Sequence, residues 1–241
     1  MRGTSILAAA ALVALPAAAA AAPVRHAAPG HRAGAAPAAR DWSRTVVATP
    51  EGGFRMGNPA ARVKVVEYGS LACPHCRHFE LTGYQPLVQN YVRRGRVSYE
   101  FRNLIINAPD ISVSLLARCA GPASFFPMAA SVYATQPQWM EKVSAFAKAQ
   151  GEALSKLTDA QRLARLAVAG GFPQIAARYG VTPARARQCL ADPAGLKRLI
   201  GMAEAANNLG VNHTPTFFVN GEVTEAATWE GLEPLIKQAG G

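Results

Sequence analysis

The segment from Val63 to Cys76 does most to restrict the fold. Val63-Lys64-Val65-Val66-Glu67-Tyr68 is apolar and rich in β-branched residues, and Gly69-Ser70 follows it. Such a run reads as a buried strand ending in a loop. Cys73-Pro74-His75-Cys76 then opens a helical pattern. Pro74 suits the first helical turn, where an amide hydrogen would have no intrahelical partner. The pattern predicts a helix from Pro74 to Arg93, kinked at Pro86 and stopped by Gly95. Arg96 to Leu104, with Val97, Tyr99 and Phe101 alternating, reads as a second strand. Strand, helix and strand in so short a span make a βαβ unit, which calls for a parallel pair and a right-handed crossover.

From Asp110 to Ala206 the pattern is helical throughout, over Ile111–Ala120, Phe125–Ala134, Met140–Ala149, Asp159–Ala169, Pro173–Tyr179, Pro183–Leu190 and Pro193–Leu209. Thr158 and Gln161 have capping-box spacing. Thr182-Pro183 and Asp192-Pro193 each set a capping residue before a proline at the first helical position. Thr216-Phe217-Phe218-Val219, Asn220-Gly221 and Glu222-Val223-Thr224 then read as strand, tight turn and strand. A last helix is predicted over Trp229–Gln238. The expectation is an α/β frame, residues 41–107 and 210–241, split by a helical insertion at 108–209.

The residues before this frame have a different character. Arg2 precedes an apolar run from Ile6-Leu7 to Ala22 that contains Ala-x-Ala sites, the pattern of a secretory signal over 1–22. Pro16 interrupts the run, so a membrane-spanning helix fits poorly, and an uncleaved anchor is the alternative. Residues 23–40 are Ala, Pro, Gly, Arg and His and read as a flexible tether. Of 25 basic residues, four lie in the first 40 with no acid, which leaves 21 against 15 in the remainder. The remaining basic residues are scattered, apart from Arg93-Arg94 and Arg96, so nucleic-acid binding is not expected.

A thiolate is the reactive form of cysteine, and its pKa governs its reactivity. Cys73 at a helix start meets free amides and the positive end of the helix dipole. Cys76, one turn inward, is within disulfide reach, and His75 between them can add positive charge or a hydrogen bond. The spacing suits a pair that forms and breaks a disulfide. A c-type haem needs His after the second cysteine, where this chain has Arg77. A structural zinc site needs about four ligands, and no second Cys or His pair follows. A purely structural bond across so short a loop constrains the unfolded chain little.

These residues, Val66-Glu67-Tyr68-Gly69-Ser70-Leu71-Ala72-Cys73-Pro74-His75-Cys76 together with Gly210-Val211-Asn212-His213-Thr214-Pro215-Thr216-Phe217-Phe218-Val219-Asn220-Gly221, resemble the DsbA-type thiol:disulfide oxidoreductases. The resemblance covers nearly all of 41–241. It implies a thioredoxin-like fold with an inserted helical domain and a cis Thr214–Pro215 bond beside the cysteines. It implies catalysis by Cys73 and Cys76, supported by Pro74, His75 and the buried acid Glu67. Substrate would lie along Thr214-Pro215, with His213 nearby. Strong oxidases of the family often carry Val where this chain has Thr214, and Thr is usual in related isomerases and reductases. His213 stands where the family commonly has Gly; it either adds charge beside Cys73 or is a solvated loop residue.

The expectation is an exported, periplasmic thiol:disulfide oxidoreductase that oxidises substrate thiols through a mixed disulfide at Cys73. An isomerase or reductase of the same fold, or a non-catalytic thioredoxin-like binding module, is the alternative. No cofactor or metal is expected. The expected partners are folding exported proteins with cysteines and a membrane redox protein that resets the disulfide, and the chain is expected to be a monomer. Cys119 and Cys189, both in helical segments of an exported chain, are expected to form a structural disulfide; two buried, inert thiols are the alternative.

Overall fold

The computed structural model describes residues 40–241 and, before them, residue 11 alone. The expected signal segment apart from residue 11, and all but the last residue of the expected tether, lie outside the described residues. β3 (Val63–Gly69) runs through the middle of a six-stranded sheet with the order β1-β2-β4-β3-β5-β6. It pairs in parallel with β4 (Val97–Asn103) and antiparallel with β5 (Thr216–Val219). Beyond β5 lies β6 (Glu222–Val223), joined by the Asn220-Gly221 turn, where both residues have positive φ, 52° and 92°. That is the backbone a two-residue hairpin needs, and it explains the Asn-Gly pair.

Two strands at the other edge have little signal in the sequence. β1 (Val46–Ala48) and β2 (Phe54–Gly57) form a hairpin that pairs onto β4. At three and four residues they are too short for a period to be read. Phe54 and Met56 are buried and decide the register.

The helix that follows the cysteines is continuous but changes pitch. It runs through α1 (Pro74–Phe79), a π turn at Glu80–Tyr84, α2 (Gln85–Leu87) and a second π turn at Val88–Val92. Pro86 lies in α2 between the wider turns. Proline gives no amide hydrogen to the carbonyl one turn back and its ring crowds that carbonyl, a mismatch that π turns absorb. In place of the single kink expected at Pro86, the helix has two wider turns, one on either side of it.

Between β4 and β5 the chain is helical, as α3 (Ala108–Cys119), α4 (Pro122–Ala134), α5 (Gln136–Ser155), α6 (Asp159–Gly170), α7 (Phe172–Ala177), α8 (Pro183–Leu190) and α9 (Pro193–Asn208). α10 (Trp229–Gln238) closes the chain. The caps are those expected: Thr158 and Gln161 bond reciprocally, Thr182 accepts from the Arg185 amide, and Asp192 accepts from the Ala194 amide. One apolar core extends from the sheet into these helices. Phe125 of α4 stacks on Phe54 at 4.3 Å, and Phe79 beside the cysteines meets Phe217 of β5 at 4.6 Å.

Cys119 at the end of α3 and Cys189 in α8 are joined, with Cα atoms 6.1 Å apart and a sequence separation of 70. A crosslink of this span removes about 4 kcal/mol of loop entropy from the unfolded chain in the chain-entropy account. Cys119→Ser is therefore expected to lower stability by a few kcal/mol in denaturant unfolding of the otherwise oxidised protein. A midpoint equal to that of the parent would show that the bond does not brace the fold.

Candidate redox site

Cys73 is the N-cap of α1, and Pro74 takes the first helical position. Both cysteines are buried and free, with Cys76 at 1% exposure. Protonated, the Cys73 thiol donates to the Thr214 carbonyl oxygen at 3.2 Å. As a thiolate it receives hydrogen bonds from the Cys76 thiol, the Thr214 side chain and the amides of Cys76 and His75. These outweigh burial and bring its pKa down to about 5. Two of the donors are free amides of the first helical turn, as the sequence suggested.

Cys76 lies on the opposite side of this balance. Burial pushes its pKa well above the usual thiol range, and Cys73 and the charge of Glu67 add to the rise. The Ser70 amide donates to its sulfur at 3.5 Å. Glu67, 2% exposed on β3, is raised to about 8 by burial, although the Tyr99 hydroxyl donates to it at 2.5 Å and works the other way. Glu80, one turn beyond Cys76, is raised to about 8 by burial as well. At neutral pH both carboxyls keep their proton most of the time.

The turn from Ser70 to Cys73 is held from outside. The Ser70 hydroxyl donates to Asp110 at 2.6 Å, and Asp110 also accepts from the Ile106 amide at 3.1 Å. Tyr133 donates its hydroxyl to the Ser70 carbonyl at 3.0 Å. The Gln136 amide, 2% exposed, donates to the Leu71 carbonyl at 3.0 Å and the Cys73 carbonyl at 3.1 Å. Burial raises Asp110 to about 6, against hydrogen bonds led by that of Ser70.

The structure brings together Cys73, Cys76, Glu67 and Thr214. The Thr214–Pro215 bond is cis, and Pro215 is buried. His75 is exposed and contributes its amide; its ring makes no hydrogen bond among the described residues. His213 is also exposed, with Nδ1 3.0 Å from its neighbour Asn212 rather than on Cys73. Cys119 and Cys189 are bonded to each other and not to this pair. Tyr99, Glu80, Asp110, Tyr133 and Gln136 carry no motif. Tyr99 was legible only as an inward strand residue, and Gln136 falls between two expected helices, Phe125–Ala134 and Met140–Ala149, whereas α5 begins at it.

A strand–CxxC–helix frame with a cis proline opposite the first cysteine defines a class of redox folds. A family profile described as Thioredoxin matches residues 49–238. The chain belongs to the thioredoxin family, and it is similar to the DsbA-type members. A protein-disulfide isomerase from Novosphingobium aromaticivorans superposes with a TM-score of 0.72 at 29% identity, covering 78% of this chain and 98% of that one. Wolbachia pipientis alpha-DsbA1 shares the fold, with a TM-score of 0.58 at 20% identity over 77% of this chain and 89% of that one. A protein of Rickettsia bellii, named provisionally as a protein-disulfide oxidoreductase, is 30% identical over 188 residues, 76% of this chain and 63% of the relative. The chain thus spans less than two thirds of that curated relative's length.

Glu67 generates a pH signature. Its pKa is about 4.5 unfolded and about 8 folded, so its contribution to stability is present below the first value and lost as pH rises through the second. Glu67→Gln keeps an acceptor for Tyr99 and removes the titration. Denaturant unfolding is expected to show the variant gaining on the parent by a few kcal/mol between these pH values. Parallel curves for parent and variant would mean that Glu67 is ionised in the fold.

Proposed function

We propose that this chain is an exported thiol:disulfide oxidoreductase that works in the oxidising direction on substrate proteins. The observation that supports this best is the hydrogen-bonded Cys73 thiolate, with its pKa near 5, set beside a buried Cys76. A disulfide whose reduced form is so stabilised gives up its oxidising equivalents readily.

In the first step a substrate thiolate attacks Cys73 of the Cys73–Cys76 disulfide. A substrate–Cys73 bond forms, the Cys73–Cys76 bond breaks, and Cys76 leaves with the electron pair. Glu67, protonated below about 8, supplies a proton to that sulfur through the buried site. A second substrate thiolate then attacks the substrate sulfur of the mixed disulfide. The substrate disulfide forms and Cys73 departs as the stabilised thiolate, a good leaving group because its pKa is low. The enzyme ends as a dithiol, and a membrane redox partner restores its disulfide. Extended substrate lies along Thr214-Pro215, beside Cys73 and next to exposed His213. The first 22 residues direct export, and the protein acts as a monomer.

The isomerase or reductase direction is the second reading. Thr214 before the proline and the similarity to a protein-disulfide isomerase favour it. There the reduced Cys73 thiolate attacks a substrate disulfide, and Cys76 resolves the mixed bond. Equilibration of the purified protein with glutathione separates the two directions. The oxidase reading expects a reduction potential well above that of thioredoxin, about −270 mV. It also expects a Cys73 alkylation rate that falls with acid at a midpoint near 5 and a Cys73→Ser variant without turnover. A midpoint near 8.5, the free-thiol value, would remove the basis of the proposal.

A further inference from the structure

A cavity of about 310 Å³ opens between the loop before β2, the end of α3, α8 and the first turn of α9. It is at the small end of the range for metabolite pockets, about 300–1,000 Å³. Arg118, Arg185 and Arg198 line it, and the single acid among its lining residues is Asp192, whose Oδ1 caps α9 by accepting from the Ala194 amide. Among the described residues none of the three arginines forms an ion pair.

Arg118 is the informative one. It is half-buried and all its partners are neutral: Nη2 donates to the Gly52 carbonyl at 2.6 Å, Nη1 donates to Asn103 Oδ1 at 3.1 Å, and the guanidinium lies 4.8 Å over the Phe54 ring. Burial and the facing charge of Arg198 lower its pKa to about 10. A desolvated cation opposed by a second cation is unfavourable unless an anion joins them. Guanidinium groups pair with oxyanions in two-pronged fashion, and the start of a long helix adds positive potential. Three cations against one carboxylate leave an excess that one dianion cancels. Phe54 and Leu115 add apolar wall. The Cys119–Cys189 bond ties α3 to α8 and so keeps Arg118 and Arg185 on the same cavity.

We propose that this cavity, framed by Arg118, Arg185 and Arg198, binds a small dianion, either a phosphate or a pair of carboxylates.

Calorimetric titration of the full chain with inorganic phosphate, glutarate and acetate at equal ionic strength tests this. Saturable binding of phosphate or glutarate is expected, and none of acetate. The tighter of the two separates a phosphate site from a dicarboxylate site. Arg185 and Arg198 are exposed, so Arg185→Gln and Arg198→Gln are expected to fold. Each should weaken binding about tenfold, a loss of about 1.4 kcal/mol, and leave the Cys73–Cys76 potential unchanged. No saturation by either dianion overturns the proposal. So does equal affinity in the Arg185→Gln/Arg198→Gln double variant, because the anion would then sit elsewhere.

Discussion

The turn from Ser70 to Cys73 joins the end of a buried strand to the start of the redox helix, and it is short of side chains that could support it. Leu71 and Ala72 are apolar, and all four residues are buried. Buried backbone carbonyls and amides need partners, and here no regular ladder supplies enough of them. The Ser70 and Cys73 carbonyls accept from the Cys73 and Arg77 amides and take a second donor from Tyr133 and Gln136, the Leu71 carbonyl takes its hydrogen bond from Gln136, and Asp110 takes the Ser70 hydroxyl. The Ser70 hydroxyl oxygen in turn accepts from the Ala72 amide. Asp110, Tyr133 and Gln136 all lie in the helical stretch between β4 and β5. That stretch therefore supports the candidate site, because without it the buried Leu71 carbonyl would be orphaned and the Ser70 hydroxyl would lose its acceptor.

The fixed turn makes two neighbouring thiols chemically unequal. Cys73 has its sulfur among donors at a helix start, and Cys76 has its sulfur in the core, where the charge of Glu67 opposes its ionisation. Moving the negative charge from Cys73 to Cys76 costs solvation and leaves it the Ser70 amide in place of several donors. The dithiol thus stores its single negative charge on the Cys73 sulfur. Glu67 is itself held by burial at about 8, and Tyr99, pushed far above the phenol range by burial, remains a donor to it.

Much of this could be read from residue order, and the parts that could not share one cause. The βαβ unit, the Asn-Gly hairpin, the helix caps at Thr158, Thr182 and Asp192 and the reactive pair all follow from local chemistry over a few positions. β1 and β2 escaped because they are short and because β2, on which β1 pairs, exists by pairing to β4, a partner some 45 residues away. Glu67 was legible because its strand neighbours are apolar. Asp110 and Gln136 were not, since a buried polar residue announces itself only through the distant backbone it meets. The even spread of pitch through two π turns was hidden for a similar reason: a proline in a helix shows where strain arises and not how the helix disperses it.

The chain carries two cysteine pairs, and loop length with thiolate stability separates their roles. Cys73 and Cys76 stand three positions apart, so joining them takes almost no freedom from the unfolded chain. The balance between dithiol and disulfide is then governed by how well the fold solvates the Cys73 thiolate, a property that side chains and amides can tune. Cys119 and Cys189 enclose a loop of 70 residues. Reducing that bond returns the loop entropy to the unfolded state and loosens α3 from α8. One pair is built to be opened at little structural cost. The other is costly to open, and it holds the helices whose arginines border a single cavity.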